Sequence, residues 1–100
     1  MPWLTRITGF EWDAGNQRKS ADKHDVTQPE VEQMFLNEPL IIADDPGHSV
    51  NQPRHHAIGQ TNAGRLLHVT FTLRAEATLI RPISARDMSR KERTRYAQET

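Results

Sequence analysis

No cysteine occurs in this chain, so disulfides and thiolate metal sites are excluded from the outset. That composition fits a reducing compartment, and the expectation is a cytoplasmic protein. No stretch approaches the roughly 20 apolar residues needed to cross a bilayer. The opening Met1-Pro2-Trp3-Leu4-Thr5-Arg6 lacks the apolar core of a secretory signal, so no membrane partner is expected. Glycine is scarce, and neither a glycine-rich phosphate loop nor a nucleophile elbow is present. Internal repeats and low-complexity tracts are missing too. The 100 residues suffice for one domain with a modest core.

What the chain does have is arginine, unevenly placed. Ten of its 13 basic residues are arginines, and Arg54, Arg65, Arg74, Arg81 and Arg86 punctuate a string of short apolar segments. The formal charge of zero conceals two unlike halves. Residues 1–50 hold four Lys/Arg against nine Asp/Glu, a net of −5; residues 51–100 hold nine against four, a net of +5. Guanidinium groups on rigid strands can grip phosphates in a fixed geometry, so the asymmetry points to an anionic partner.

Local patterns predict an α+β domain. Ile7 to Trp12 reads as a strand, and Asp13 to Lys23 as a polar helix with Asp13 as its N-cap. Thr27 and Glu30 form a capping box for the next helix, with Val31, Met34 and Phe35 on one face and Pro39 as its stop. Leu40 to Ala43 and Arg54 to Thr61 read as strands, and residues 44–53 between them as a loop. After the Asn62-Ala63-Gly64 turn comes the clearest strand. There Leu67, Val69, Phe71 and Leu73 alternate with His68, Thr70, Thr72 and Arg74, which places the first set on the core and the second on an open face. Thr78 to Ser84 is a further strand whose Pro82 implies an edge or a bulge. Ser89 and Glu92 cap a last, basic helix running to about Gln98. The order β-α-α-β-β-β-β-α, with short links, indicates helices packed on an antiparallel sheet.

The chemistry these residues could support is phosphodiester cleavage. Charge develops on the non-bridging oxygens in the transition state, and arginine donors aimed there stabilise it. RNA carries its own nucleophile in the 2′-OH, so a base, an acid and a cation cluster suffice, and no metal or cofactor is expected. The proton-transfer candidates are His24, His55, His56, His68 and Tyr96. Plainer readings stand beside this one. Arginines at strand ends are often rim charges or partners of acidic residues, and a basic helix such as Ser89 to Gln98 is often only an exposed face. Trp12 and Tyr96 are ordinary core or rim aromatics in most folds. His55 and His56, adjacent on a strand, face opposite sides, and no third ligand lies at metal spacing.

From Phe10 onward the chain resembles the BrnT family, the toxins of a bacterial type II toxin–antitoxin system. The likeness is carried by Phe10-Glu11-Trp12-Asp13, Asn16, Lys19, Lys23-His24-Asp25-Val26 and Glu30. It continues in Phe35, Asp45-Pro46, His48-Ser49, Arg54, Ala57-Ile58-Gly59 and Gly64-Arg65-Leu66-Leu67. It closes with Phe71-Thr72, Arg74, Arg81, Ile83-Ser84-Ala85-Arg86, Glu92-Arg93 and Tyr96. The resemblance implies a RelE-like ribonuclease fold, metal-independent RNA cleavage that inhibits translation, and neutralisation by a BrnA-like ribbon-helix-helix antitoxin. Operator DNA would be bound only through that antitoxin. On this view residues 1–9 are a variable N-terminal extension and residues 10–100 a single toxin domain.

The resemblance also implies site residues. His24, Arg54, Arg81, Ser84, Arg86 and Tyr96 would be catalytic, with His24 as general base or acid, and Lys23, Arg65 and Arg74 would bind the flanking RNA backbone. One departure stands out: the family often has an acidic residue just before the position of Arg54, where this chain has Asn51-Gln52-Pro53. That departure supports an alternative, a non-catalytic module that binds antitoxin or RNA and serves in operator repression.

Overall fold

The alternation of apolar residues after Gly64 builds the central strand of a five-stranded sheet in the computed structural model, which describes residues 5–16, 24–45 and 53–99, with residues 44 and 45 described through their backbone alone. The elements are β1 (Gly9–Phe10), α1 (Gln28–Leu36), β2 (Ile41–Asp45), β3 (Arg54–Gln60), β4 (Leu66–Arg74), β5 (Leu79–Asp87) and α2 (Arg90–Gln98). The strand order is β1-β5-β4-β3-β2. β2 to β5 form an antiparallel meander, as short links require. The all-antiparallel expectation needs one correction: β1 pairs with β5 in parallel, Gly9 against Leu79 and Phe10 against Ile80. The strand expected over Ile7 to Trp12 shrinks to those two residues, although Thr8 still donates its N–H to the Thr78 carbonyl and Ile7 packs on the core. Residues 14–16 are helical, and most of the helix expected over residues 13–23 falls outside the described residues.

One sheet face carries the main core. Leu67, Val69 and Phe71 from β4 meet Ala57, Ile80 and Ala85, and α1 covers them with Val31 and Met34. Phe35 sets its ring edge-on to Phe71 at 5.2 Å and tilts against Phe10 at 5.7 Å. Gly59 lets the helix come this close, because a Cβ there would sit 3.0 Å from the Met34 carbonyl oxygen. Both capping boxes form as the sequence predicts, Thr27 with Glu30 and Ser89 with Glu92. Pro82 lies at a bulge, where the register of β4 against β5 slips between Thr70 and Phe71. Its carbonyl accepts from Asn16 Nδ2 on the side where β1 has already ended, so its missing N–H deprives no strand of a partner.

The second face is not the open one that alternation alone predicts. His68, Thr70 and Thr72 are all buried. Part of the cover is α2, which returns along this face and seats Tyr96 and Met88 against Ile58. The Tyr96 hydroxyl donates to the Pro39 carbonyl at 2.6 Å, tying the helix to the turn before β2.

Candidate active site

Period-two alternation and strand register place one set of polar side chains on this second face. His56 lies across from Thr70, and Ile58 across from His68. Thr70 pairs with Ser84, Thr72 with Arg81, and His68 with Arg86. Arg54, two residues before His56, and Arg74, two after Thr72, extend the same face. From His68 to Arg74 the row spans about 20 Å at strand rise. Among the described residues two depressions open along it.

The first, about 270 Å³, is lined by Gly15, Asn16, Arg54, Thr72, Arg74 and Arg81. Arg81 is held from the acidic half of the chain, at 3.0 Å from Glu11 Oε1 and 2.8 Å from Asp13 Oδ2. The Asn16 backbone N–H and the Arg81 guanidinium hold the Asp13 carboxyl below its usual range, and Asp13 in turn raises Arg81. Among the described side chains no carboxylate pairs with Arg54 or Arg74, and the buried Nε of Arg74 has no hydrogen-bond partner. Both guanidinium groups line this depression, and no carboxylate lines it with them.

The second depression, about 390 Å³, gathers His56, His68, Arg86, Glu92 and Arg95 over an apolar floor that includes Ile58. His56 Nδ1 lies 3.1 Å from His68 Nε2 and 3.2 Å from Thr70 Oγ1. A contact that short between ring nitrogens requires one to donate and the other to accept. Burial pushes His68 below its ordinary pKa, and the nearby Arg86 charge adds to that, which favours a neutral ring. Arg86 makes a two-pronged pair with Glu92, at 2.8 and 3.0 Å. Burial raises Glu92, but hydrogen bonds from Arg86 and the Ser89 backbone outweigh it and bring the carboxyl to about 2. Its Oε2 is also 3.8 Å from His68 Nε2.

The residues singled out from sequence divide accordingly. Arg54, Arg74 and Arg81 converge in the first depression, Arg86 lines the second, and Ser84 lies between them by register. Three others lie elsewhere. Arg65 bonds Glu30 and Asp87 and the carbonyls of His24 and Asp25, beside the start of α1. His24 belongs to that cluster, where its charge helps lower Asp87, and it lines neither depression. Tyr96 is buried beneath α2, and burial raises its hydroxyl. Lys23 lies outside the described residues. Conversely, His56 and His68 were proton-transfer candidates by residue type alone, and Glu92 was read only as a cap. The signal that pairs the two histidines is the offset of β3 against β4, which emerges only once strands are aligned across the Asn62-Ala63-Gly64 turn.

A family profile described as "Ribonuclease toxin, BrnT, of type II toxin-antitoxin system" matches residues 12–92. The chain belongs to the BrnT family. As a member it is a ribonuclease toxin of a type II toxin–antitoxin system, which implies an antitoxin partner. The crystal structure of the Brucella abortus ribonuclease toxin BrnT matches with a TM-score of 0.60 and 21% identity, covering 84% of this chain and all of that one. At that identity the likeness speaks for the fold: helices and a five-stranded, mostly antiparallel sheet shared with a BrnT toxin. No curated protein matches the sequence. No helix among the described residues is long and apolar enough to cross a membrane.

Proposed function

We propose that this BrnT-family toxin is a metal-independent endoribonuclease whose base is His56, oriented by His68. The carrying observation is the 3.1 Å contact between the two rings beside Arg86, at one end of a face whose other end holds Arg54, Arg74 and Arg81. In this reading His68 is neutral and accepts at Nε2, the shared proton sits on His56 Nδ1, and His56 Nε2 is the unprotonated ring nitrogen that serves as base. This is the base-and-orienter arrangement of nucleophilic catalysis, with one imidazole steering another. His56 removes the 2′-OH proton, the 2′-oxygen bonds to phosphorus, and the bond to the 5′-oxygen breaks. The imidazolium left on His56 is the proton source for the departing oxygen. Products end in a 2′,3′-cyclic phosphate and a 5′-hydroxyl. Arg86 and Ser84 border the scissile phosphate, and Arg54, Arg74 and Arg81 hold the strand beyond it. The proton chemistry thus moves from His24, the expectation from resemblance, to His56.

The finer parts of the resemblance belong to the same reading. They are a RelE-like kinship, action in the cytoplasm against translation, and a BrnA-like ribbon-helix-helix antitoxin through which operator DNA is bound. An acidic antitoxin segment laid over Arg54 and Arg74 would block the strand path, since no carboxylate lines the depression they face.

The test is cleavage of single-stranded RNA by purified protein in EDTA. Wild type is expected to cut, and His56→Ala to lose about 10²–10⁴ in rate, the usual share of a general base, whereas His24→Ala retains most activity. Full activity in both His56→Ala and His68→Ala would sink this assignment. Activity abolished by EDTA would sink metal independence. Antitoxin binding with no cutting at all would favour the non-catalytic module.

A further inference from the structure

Glu92 sits where a substrate phosphate would sit under the reading just proposed, and the inference here rests on that reading. Its two oxygens meet Arg86 Nη1 and Nη2 at 2.8 and 3.0 Å, the planar two-oxygen edge that a phosphodiester also offers a guanidinium. Oε2 faces His68 Nε2 at 3.8 Å, so the carboxylate lies against the histidine pair as well as the arginine. Arg95, one turn further along α2, lines the same depression. Among the described residues Glu92 is the one carboxylate lining this depression.

We propose that Glu92 is a resident stand-in for the scissile phosphate: it occupies the Arg86 seat in the free protein and yields it to RNA. Three observations fit an exchangeable contact better than a permanent strut. The pair is partly exposed, with the Arg86 side chain 38% and the Glu92 side chain 25% accessible, and solvent in contact with an ion pair weakens it. Glu92 keeps a second tether when Arg86 leaves, because the Ser89 backbone N–H donates to Oε1 at 2.8 Å within the capping box. The exchange is also neutral in charge, one monoanion replacing another beside the same arginine. In the free toxin the carboxylate keeps Arg86 in a ready geometry and lets stray anions in only by competition. Glu92 is therefore a positioning residue, acting through Arg86.

Glu92→Gln is the informative variant, because glutamine at this helix position preserves the capping box while the charge is removed. Two measurements are made on the full chain. One is binding of an oligonucleotide with a 2′-deoxy residue at the cleavage position, which cannot react. The other is steady-state cleavage of the matching RNA. Glu92→Gln is expected to bind the deoxy probe about two- to fivefold tighter, the scale of an exposed ion pair, with KM falling by the same factor and kcat moving less. In an Arg86→Gln background the same substitution should do nothing, since the competition is for Arg86. Glu92→Asp, too short to span to Arg86 yet still charged, should shift binding in the same direction. Unchanged binding in a folded Glu92→Gln, weaker binding, or an equal gain in the Arg86→Gln background each overturns the proposal. The binding arm needs no chemistry, so a failure of the histidine assignment, seen as full activity in both histidine variants, is read separately.

Discussion

Arg65 and the pair Arg54 and Arg74 are the same residue type, on or beside the same sheet, and they lead opposite lives. Arg65 is saturated: Glu30, Asp87 and two backbone carbonyls take its donors, and the bonds to Asp87 and then Glu30 raise its pKa well above the ordinary value. Arg54 and Arg74 face a depression with no carboxylate among the described residues. Arg81 and Arg86 stand between these limits, each with acidic partners yet each lining a depression. The comparison shows that an arginine's partners, and not its place at a strand edge, decide whether it is structural or available to substrate. It also explains the split charge of the two halves. Glu11, Asp13 and Glu30 from the acidic half are spent on Arg81 and Arg65 from the basic half, and no carboxylate lines the depression that Arg54 and Arg74 face.

The hardest blow to that contrast is removal of the available pair. Arg54→Gln with Arg74→Gln is expected to lower kcat/KM on RNA by about 10²–10³, or roughly 3–4 kcal/mol of transition-state stabilisation, while the denaturation midpoint stays nearly unchanged. A double variant that loses its fold instead of its activity would place these two arginines in the Arg65 class. Next in size comes the reverse experiment. Arg65→Gln should lower the unfolding free energy by about 2 kcal/mol, because Glu30, Asp87 and two carbonyls lose donors at once. Folded Arg65→Gln protein should still cut RNA at near the wild-type rate. Denaturant titration and a cleavage assay on the same preparation separate the two classes.

Sequence reading reached some of this and stopped for physical reasons. The core face of β4 was legible because period-two alternation is local, and both capping boxes were legible because four residues contain them. The bulge was announced by Pro82. What stayed hidden depends on contacts distant in sequence. Alternation set His68, Thr70 and Thr72 on an open face, yet α2 and Pro53 help cover that face, the latter by accepting from Thr72 at 2.9 Å. Arg65 looked like its fellow arginines because Glu30 lies 35 residues away and comes close only when α1 docks. His56 and His68 are 12 residues apart, and a one-residue slip of β3 would separate them. The family resemblance supplied the toxin assignment, and the sorting of arginines and histidines came from packing.

The finest test uses acid to separate the two regions by pH. Burial and the Arg86 charge hold His68 low, so the folded state binds its proton less readily than the unfolded chain. Its stability contribution is complete above about 6.5 and is lost as pH falls from there toward the depressed folded value. The Arg65 cluster responds later. Arg65 lowers Asp87 directly, and in Glu30 burial is outweighed by hydrogen bonds from Thr27 and Arg65. These carboxylates stabilise the fold above their unfolded values, near 4.5 and 3.8, and that support disappears as pH falls through the lower folded ones. Stability measured from pH 7 to 3 should therefore fall in two stages, His68 first and the lowered carboxylates second, Glu92 and Asp13 joining those of the Arg65 cluster. His68→Asn should flatten the stage between pH 7 and 5. Arg65→Gln should flatten the stage below 4.5 by on the order of 1 kcal/mol, the scale of a partly exposed ion pair. Arg54→Gln should leave both stages intact; if it flattened the acid stage, Arg54 would have a carboxylate partner and the contrast with Arg65 would collapse.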